Sequence, residues 1–196
     1  MQYPAIKAGI AAVRKRFLVA SLGADEVIVA TGSTPNRIPV KGANEYGIEA
    51  CDYLLGKKTV GDNVVVVGGG LTGCEIAYDL FLQGKKPVII EMQDDLITTP
   101  GVALANTSFL RDCFKANNVP VYLETKTTEI REDGVTVATK DGKTIDIPAD
   151  NVILSVGYKP APVAEKSKHV HIIGDAFKVG NLRTVIWQAW DIAMKL

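Results

Sequence analysis

The sequence predicts an α/β fold in which a parallel βαβ unit is followed by a three-stranded antiparallel meander. Residues 63–67 and 87–91 are apolar, β-branched runs, and residues 71–83 between them have helical periodicity that ends at Gly84. Three alternating segments come later, and each junction between them carries Asp-Gly, the strongest short hairpin signal, at residues 133–134 and 141–142. These patterns predict a layered core with an added antiparallel sheet.

The amino-terminal third predicts one helix, one strand and a connector. Residues 5–17 have helical composition, and residues 25–30 (DEVIVA) are typical of a short buried strand. Residues 33–43 (STPNRIPVKGA) contain two prolines and several turn formers, which favour an extended loop. We therefore expect a connector between structural units here.

The remaining elements follow in an order that suits an α/β chain. They are a helix at 102–116, a strand at 119–121, meander strands at 123–131, 135–139 and 144–147, strands at 151–156 and 170–173, and a final helix at 184–195. No internal repeat or low-complexity segment interrupts this order. One large unit or two small ones fit into 196 residues.

Composition argues against two classes of partner. Lys and Arg together number 22, as do Asp and Glu, so the formal net charge is zero. Neither nucleic acid nor a membrane is expected as a partner, because no basic run is present and no segment approaches the roughly 20 apolar residues of a bilayer span. Small molecules or proteins are the better candidates.

The cysteines favour reduced thiols. Cys51, Cys74 and Cys113 are odd in number and far apart, which suits a cytoplasmic protein better than a disulfide framework. They also lack the C-x2-C spacing of a zinc or iron-sulfur site. Cys74 stands at a helix start, where the helix dipole lowers a thiol pKa, but it has no C-x-x-C partner. Packing of a small side chain is therefore favoured over redox chemistry.

Three glycines after the first strand of the βαβ unit carry the main functional signal. Gly68, Gly70 and Gly73 form G-x-G-x-x-G between a strand and a helix, the context required of a dinucleotide fingerprint in a Rossmann-like fold. The first permits a tight turn, the second lets a pyrophosphate approach the backbone, and the third lets helix and strand pack closely. A purely structural turn is the alternative interpretation.

Glu91 ends the second strand, 18 residues after Gly73. A carboxylate there accepts hydrogen bonds from the hydroxyls of an adenosine ribose and repels a 2′-phosphate. Glu91 therefore favours NADH over NADPH, and the neutral residues Met92 and Gln93 that follow favour the same choice. A solvated charge at a strand end is the alternative.

Four further segments resemble a known family. VIVATGSTP at 27–35 resembles the segment by which flavin-binding domains of the disulfide-reductase type lead into their nucleotide domain, and IIGDA at 172–176 resembles their GD motif. SVGYKP at 155–160 is similar to the strand end beneath the nicotinamide, and residues 180–196 resemble the carboxyl end of the 2-enoate and 2,4-dienoyl-CoA reductase group of NADH:flavin oxidoreductases. The resemblance implies an FAD/NAD(P)-binding fold.

Proteins of that group also carry an FMN barrel and an iron-sulfur cluster. Electrons there pass from NADH to FAD, then through the cluster to FMN and to an activated alkene. This chain has no barrel-sized segment, no cluster cysteines and one G-x-G-x-x-G. The resemblance therefore implies a domain fragment: a partial flavin-domain segment at 1–60, an NAD(H)-binding domain at 61–158, and a second partial flavin-domain segment at 159–196.

The resemblance assigns cofactor contacts residue by residue. The pyrophosphate is expected at Gly68, Gly69, Gly70, Leu71, Thr72 and Gly73, the adenosine ribose at Glu91, the nicotinamide end at Val156 and Gly157, and residual flavin contacts at Ala30, Thr31, Gly32, Gly174 and Asp175. Glu75 either faces the nicotinamide ribose or complements the helix dipole. Asp175 has a second interpretation as a turn former.

No catalytic side chain and no metal site are expected. Hydride transfer to a flavin needs orientation more than acid-base help. His169 and His171 alternate along a strand and share one face, but without a nearby carboxylate or thiol set a surface position is favoured. Two other functions stay open: a pyridine-nucleotide-binding module without turnover, and an S-adenosylmethionine-dependent methyltransferase, which the meander and the GD motif disfavour.

Overall fold

The computed structural model describes residues 23–196, so the predicted helix at 5–17 lies outside the described residues. The chain divides into two compact units. The first, which we call the sheet unit, is Pro35–Gly157. The second, the terminal unit, comprises residues 23–34 and 158–196 of the described chain. Within residues 23–196 no helix is both long and apolar enough to cross a bilayer.

After the first two strands, helices and strands alternate through the first half of the described chain, and seven strands then precede the final helix. In chain order they are β1 (Val27–Val29), β2 (Ser33–Pro35), α1 (Ala43–Tyr46), β3 (Gly47–Glu49), α2 (Ala50–Leu54), β4 (Asn63–Val67), α3 (Leu71–Leu82), β5 (Lys86–Ile90), α4 (Leu104–Ala116), β6 (Val121–Tyr122), β7 (Thr125–Arg131), β8 (Gly134–Thr139), β9 (Thr144–Pro148), β10 (Asn151–Leu154), β11 (Tyr158–Pro160), β12 (Val170–Ile172) and α5 (Leu182–Ala193). A 3-10 turn, Gly174–Ala176, precedes α5.

A parallel five-stranded sheet organises the sheet unit, with strand order β3-β10-β4-β5-β6. In the central strand β4, Val65 is aligned with Val152 of β10 on one side and Val88 of β5 on the other. The chain moves from β4 to β5 on one side and later returns to β10 on the other. Strand order therefore reverses at β4, which is where α/β sheets bind ligands.

The two faces of β4 enter different hydrophobic clusters. Val64 and Val66 pack with α3 and α4 residues such as Leu80 and Phe114. Val65 and Val67 pack with the meander. Successive side chains of a strand point to opposite faces, so a run of valines suits a strand buried on both. The sheet is therefore covered by helices on one face and by β7-β8-β9 on the other.

The antiparallel meander is confirmed, with strand order β7-β8-β9. At its first junction, Gly134 has a φ of 147°, and a Cβ there would lie 2.2 Å from the carbonyl oxygen of Ile147. No L side chain fits that position without moving the backbone. A register shift between Thr127 and Glu129 marks a β-bulge in β7.

One strand of the main sheet carried no sequence signal. β3 pairs in parallel with β10, with Ile48 opposite Ile153, and extends the sheet by an edge strand. The compact sheet unit accordingly begins at Pro35, and the domain boundary predicted at residue 61 stays a prediction. A second difference is β2, which pairs with β11 where an extended loop was expected. Neither β2 (STP) nor β3 (GIE) contains the apolar β-branched run that marks a short strand such as β1, so only their pairing partners reveal them.

The terminal unit contains a two-stranded parallel sheet of β1 and β12. Its helix α5 starts with a capping box, in which the Asn181 side chain accepts from the Thr184 N–H and the Thr184 hydroxyl accepts from the Asn181 N–H. None of the residues of α5 is buried within the described structure. Trp187 and Trp190 are 60% and 58% exposed.

Truncation of Leu80 tests the helical side of the core. Leu80 is fully buried in α3, so Leu80→Ala should lower the free energy of unfolding of the sheet unit by about 2–5 kcal/mol through lost burial and a residual cavity. Leu82→Ala, on the same helix at 64% exposure, is the matched control and should change it by less than about 0.5 kcal/mol. Urea denaturation followed by far-ultraviolet circular dichroism measures both, and equal losses would contradict the assigned packing.

Candidate functional site

The loop between β4 and α3 requires glycine at its first and third fingerprint positions. Gly68 has a φ of 109°, and a Cβ there would lie 2.2 Å from the carbonyl oxygen of Ser155. A Cβ at Gly73 would lie 1.9 Å from the carbonyl oxygen of Gly68. The tight turn and the close helix–strand approach expected from the fingerprint are therefore both present.

Gly70 differs from its two partners. Its φ is −67°, and a Cβ there would meet nothing within 4 Å among the described residues. Gly70 is also the N-cap of α3, and within residues 23–196 no side chain caps this end. The first N–H groups of a helix lack intrahelical partners and carry partial positive charge. The loop thus forms an open cradle in which an anionic group fits.

Gly69 fixes the conformation of the loop through both of its polar groups. Its N–H donates to Oε2 of Glu91 at 2.5 Å. Its carbonyl oxygen accepts from the N–H of Ile97 at 2.8 Å and from the Cys74 thiol at 3.3 Å. The loop is therefore held in place by the protein before any ligand binds.

Glu91 is hydrogen-bonded at both carboxylate oxygens. Oε2 accepts from Gly69, and Oε1 accepts from the N–H of Gln93 at 2.7 Å. The side chain is thus neither free nor only solvated. Each carboxylate oxygen offers two lone-pair directions, so each keeps capacity for one further donor such as a ribose hydroxyl.

A cleft of about 530 Å³ lies at the carboxyl ends of β4, β5 and β10. It brings together five residues predicted from the sequence: Gly68, Gly70, Glu91, Val156 and Gly157. It also contains residues for which the sequence analysis assigned no role: Ile38, Pro39, Val40, Thr125, Lys126 and Thr127. The only sequence signal for the first three was their apolar character within a turn-rich connector.

The nicotinamide end predicted at Val156 and Gly157 is held by one side chain. Asn36 donates from Nδ2 to the carbonyl oxygen of Val156 at 3.2 Å. The N–H of Asn36 also donates to the carbonyl oxygen of Gly157 at 2.9 Å. Gly157 adopts a φ of 81°, which favours glycine.

Other predicted contacts on α3 lie beside the cleft and do not line it. Leu71 and Thr72 occupy the first turn and are half-buried, and Glu75 is exposed further along the helix. None of the three belongs to the residues that line the cleft within the described chain. The backbone N–H groups of Leu71 and Thr72 are at the positive end of the helix, which suits the predicted pyrophosphate role better than a side-chain role. The two roles predicted for Glu75 stay predictions.

The predicted flavin contacts cluster at one edge of the terminal unit. The N–H of Ile173 donates to the carbonyl oxygen of Val29, so Ala30 and Gly174 leave their paired strands at the same edge. The Thr31 hydroxyl donates to the carbonyl oxygen of Ala161 at 2.9 Å. Gly32 has a φ of 77°, and a Cβ there would meet nothing within 4 Å among residues 23–196.

The GD segment is tied to α5. The N–H of Gly174 donates to Oε1 of Gln188 at 2.7 Å. Oδ1 of Asp175 accepts from the N–H of Gly180 at 3.1 Å. The Asp175 side chain thus stabilises the turn that leads to Gly180. Its role in flavin binding stays a prediction.

Cys74 is a packing residue. It is fully buried, and burial raises the pKa of its thiol to about 12, with the negative charge of Glu91 adding to the effect. Desolvation therefore outweighs the stabilisation that the helix amino terminus offers a thiolate. The preference for packing over redox chemistry agrees with this geometry.

A carboxylate missed by the sequence analysis joins the two histidines. Glu26 lies 2.9 Å from Nδ1 of His169 through Oε1 and 2.8 Å from Nε2 of His171 through Oε2. These hydrogen bonds, first that to His169, hold the pKa of Glu26 below its usual value. In the part of the chain that the structure describes, no group of three or more His, Cys, Asp or Glu is arranged to hold a metal ion.

Fold and cleft together define a domain of the FAD/NAD(P)-binding, disulfide-reductase-type class. Over residues 8–181 the sequence matches the family described as pyridine nucleotide-disulphide oxidoreductase, so the chain belongs to that family. Membership implies an oxidoreductase domain that binds FAD and NAD(P)H. It sets aside the methyltransferase alternative.

Two curated relatives match almost the whole chain. Cinnamate reductase of Clostridium sporogenes is 35% identical over 198 residues, covering 97% of this chain and 29% of that protein. NADH oxidase of Thermoanaerobacter brockii is 33% identical over 189 residues, covering 91% and 29%. The chain thus spans about three tenths of the length of these relatives.

A solved structure of a 2-naphthoyl-CoA reductase in complex with 2-naphthoyl-CoA has the same fold. It superposes with a TM-score of 0.78 at 28% identity, covering 88% of this chain and 27% of that one. The resemblance to the NADH:flavin oxidoreductase group is thereby confirmed.

Alanine substitutions at Gly73 and Gly70 should show that the first glycine is needed for close packing and that the second is not. Gly73→Ala forces a Cβ onto the carbonyl oxygen of Gly68 and should lower the free energy of unfolding by at least about 2 kcal/mol. Gly70→Ala places its methyl group in open space with ordinary backbone angles and should leave stability within about 0.5 kcal/mol. Denaturant titration of both variants decides this, and equal stability would refute the close approach.

The more deeply a cysteine is buried, the more slowly its thiol should react with an alkylating reagent. A thiol with a pKa of about 12 is ionised in about one molecule in 10⁵ at pH 7, so Cys74 should resist iodoacetamide in the native chain. Cys51 and Cys113 are only half-buried and should react first. Peptide mapping by mass spectrometry after brief alkylation at pH 7 tests the order, and early labelling of Cys74 would contradict it.

Proposed function

We propose that this chain is the NADH-binding portion of an FAD-dependent oxidoreductase that passes hydride from NADH to FAD. The observation that carries the proposal is the coexistence, in one cleft, of the open cradle at Gly70 and the carboxylate of Glu91. A dinucleotide bound in this cleft would place its pyrophosphate at the cradle and its adenosine ribose at Glu91.

The chain's own groups bind and orient the nucleotide. The N–H groups of residues 70–73 would donate to the pyrophosphate, because those of Gly68 and Gly69 already donate to Ile90 and Glu91. The dipole of α3 favours the negative charge of the pyrophosphate. Glu91 accepts from the ribose hydroxyls with the lone pairs that Gly69 and Gln93 leave free. Val156 and Gly157 border the nicotinamide, and Asn36 keeps their backbone in place.

Selectivity for NADH follows from charge at the Glu91 end. A 2′-phosphate would place two negative groups within hydrogen-bonding distance of each other, which is costly in a partly enclosed site. Lys126 is the one cation among the described residues that line the cleft. Arg111, on nearby α4, is already paired with both carboxylate oxygens of Asp95.

FAD, when bound, supplies two-electron acceptance and one-electron release. The terminal unit's contribution would come from Ala30, Thr31, Gly32, Gly174 and Asp175, which lie around one edge of its two-stranded sheet. Within the described structure no atom lies within 4 Å of a Cβ placed at Gly32, which suits close approach of a ligand. The ADP half of the flavin has no second glycine-rich fingerprint on this chain to hold it.

In the full-length parent, we propose that electrons continue through an iron-sulfur cluster and FMN to an activated alkene, a 2-enoate or a 2,4-dienoyl-CoA. Support comes from the relative named cinnamate reductase, since cinnamate is itself a 2-enoate. The chain matches a similar share of an NADH oxidase, so the shared segment suits the NADH side of the reaction and the acceptor is selected elsewhere.

A binding module without turnover is the rival interpretation. It shares every contact in the cleft and differs only at the flavin edge of the terminal unit. Reduction of added FAD by NADH in the presence of the chain, above the rate in buffer, separates the two.

Calorimetric titration with NADH and NADPH tests the proposal. NADH should bind at least about tenfold more tightly than NADPH, and Glu91→Gln should reduce that ratio because it removes the repelling charge. Gly70→Val is the control, since its side chain fills the cradle where nothing else lies within 4 Å and its backbone angles suit valine. NADH affinity unaffected by Gly70→Val would place the nucleotide elsewhere, and absence of binding to the wild-type chain would overturn the proposal.

A further inference from the structure

The cradle at the start of α3 depends on the direction in which one backbone N–H points. Gly70 is the N-cap of α3, so its N–H has no acceptor inside the helix. This N–H shares a planar trans peptide group with the carbonyl of Gly69, and in such a group the N–H and C=O bonds point in opposite directions. The residue that holds the Gly69 carbonyl therefore fixes the direction of the Gly70 N–H.

The Gly69 carbonyl is held by a residue in an unusual backbone conformation. Its oxygen accepts from the N–H of Ile97 at 2.8 Å. Ile97 has a φ of 51°, in the left-handed region that β-branched residues rarely adopt. Leu96 also lies against the loop, because a Cβ at Gly69 would meet its Cδ2 at 2.5 Å. Strained conformations of this kind persist only where the surrounding structure imposes them.

Arg111, on α4, holds the 95–97 segment by three hydrogen bonds. Its Nε and Nη2 donate to the two carboxylate oxygens of Asp95 at 3.0 and 2.9 Å. Nη2 also donates to the carbonyl oxygen of Leu96. Oδ1 of Asp95 in turn accepts from the N–H of Leu96 at 2.7 Å, so both polar groups of the Leu96 backbone are held. Bidentate pairing of an arginine with a carboxylate fixes orientation as well as distance.

Two peptide groups connect Arg111 with the cradle. The carbonyl of Leu96, which accepts from Arg111, and the N–H of Ile97 belong to one peptide group. That N–H donates to the carbonyl of Gly69, which shares the second peptide group with the N–H of Gly70. Hydrogen bonds in such a chain polarise and strengthen one another. A change at Arg111 is therefore transmitted to the Gly70 N–H.

We propose that Arg111 is a positioning residue for the bound nucleotide, which sets the direction of the Gly70 N–H through these two peptide groups without touching the ligand. The inference rests on the proposed function and deepens it. Neither Arg111 nor the 95–97 segment belongs to the described residues that line the cleft. The Arg111 hydrogen bonds hold the pKa of Asp95 below its usual value, so the pair is charged at neutral pH and has no net charge. Its effect on binding should therefore come from geometry.

Calorimetric titration of the full chain with NADH and ADP-ribose tests the positioning role. Arg111→Met keeps the aliphatic stem and removes the donors, and Asp95→Ala removes their acceptor. Each should weaken both ligands by the same factor, about three- to tenfold, because both ligands carry the pyrophosphate. The two losses should not add in the double variant, since the residues act as one pair.

Arg131→Met is the matched control. Arg131 pairs with Asp133 and Asp146 in the meander, and its side chain is 35% exposed against 30% for Arg111. This variant should bind NADH and ADP-ribose as the wild-type chain does.

Amide hydrogen exchange without ligand separates positioning from a general loss of stability. Ile97 is 4% exposed and its N–H is hydrogen-bonded, so this N–H should be protected in the wild-type chain. In Arg111→Met it should exchange at least about tenfold faster, whereas the amides of the central strand β4 should exchange at the wild-type rate. Equal acceleration at both places would mean that the variant only destabilises the fold and would overturn the inference.

The outcomes also separate this inference from the proposed function. Binding of NADH by the wild-type chain together with undiminished affinity of Arg111→Met refutes the positioning role and leaves the nucleotide site standing. A loss for Arg111→Met without one for Asp95→Ala means that Arg111 contacts the nucleotide directly, which also refutes the positioning role. Failure of the wild-type chain to bind NADH and ADP-ribose overturns both.

Discussion

Burial of β4 on both faces is the constraint on which the rest of the sheet unit depends. Its four valines are at most 7% exposed and enter two separate hydrophobic clusters. A strand covered on one side by helices and on the other by a meander has no solvent face that could tolerate a slip in register. The end of β4 therefore lies at a defined place, and the glycine-rich loop starts there. The packing of β4 therefore fixes the positions of the residues that line the cleft.

Glu91 links the core to the cleft. Its carboxylate accepts from backbone N–H groups of two loops, the one after β4 and the one after β5. The same oxygens are proposed to accept from a ribose. One side chain would thus organise the empty site and contact the ligand, which reduces the ordering that binding must supply. Dual use of this kind also means that a substitution at Glu91 acts on loop geometry as well as on nucleotide choice.

Sequence patterns predicted the features of the fold that depend on neighbouring residues in the chain. The βαβ unit, the meander turns and the close approach at Gly73 follow from periodicity and from the special backbone angles of glycine, and the structure confirms them. The edge strand β3 and the lining residues Ile38 and Thr127 escaped detection, because their positions depend on partners distant in the chain. The Glu26 contact with two histidines was likewise missed, since 143 residues separate it from His169. Sequence spacing carries no information about such pairs until the fold is known.

Helix α5 also determines which part of the chain tryptophan fluorescence reports on. Both tryptophans of the sequence, Trp187 and Trp190, lie on this helix and are more than half exposed. Indole emission excited near 295 nm will therefore arise wholly from the terminal unit, with the red-shifted maximum of a hydrated ring. The sheet unit, which holds the glycine-rich loop, contributes no indole signal of its own. Fluorescence melts of this chain will consequently report on one unit, and optical study of the other needs the nicotinamide absorbance of a bound nucleotide or a tryptophan introduced there.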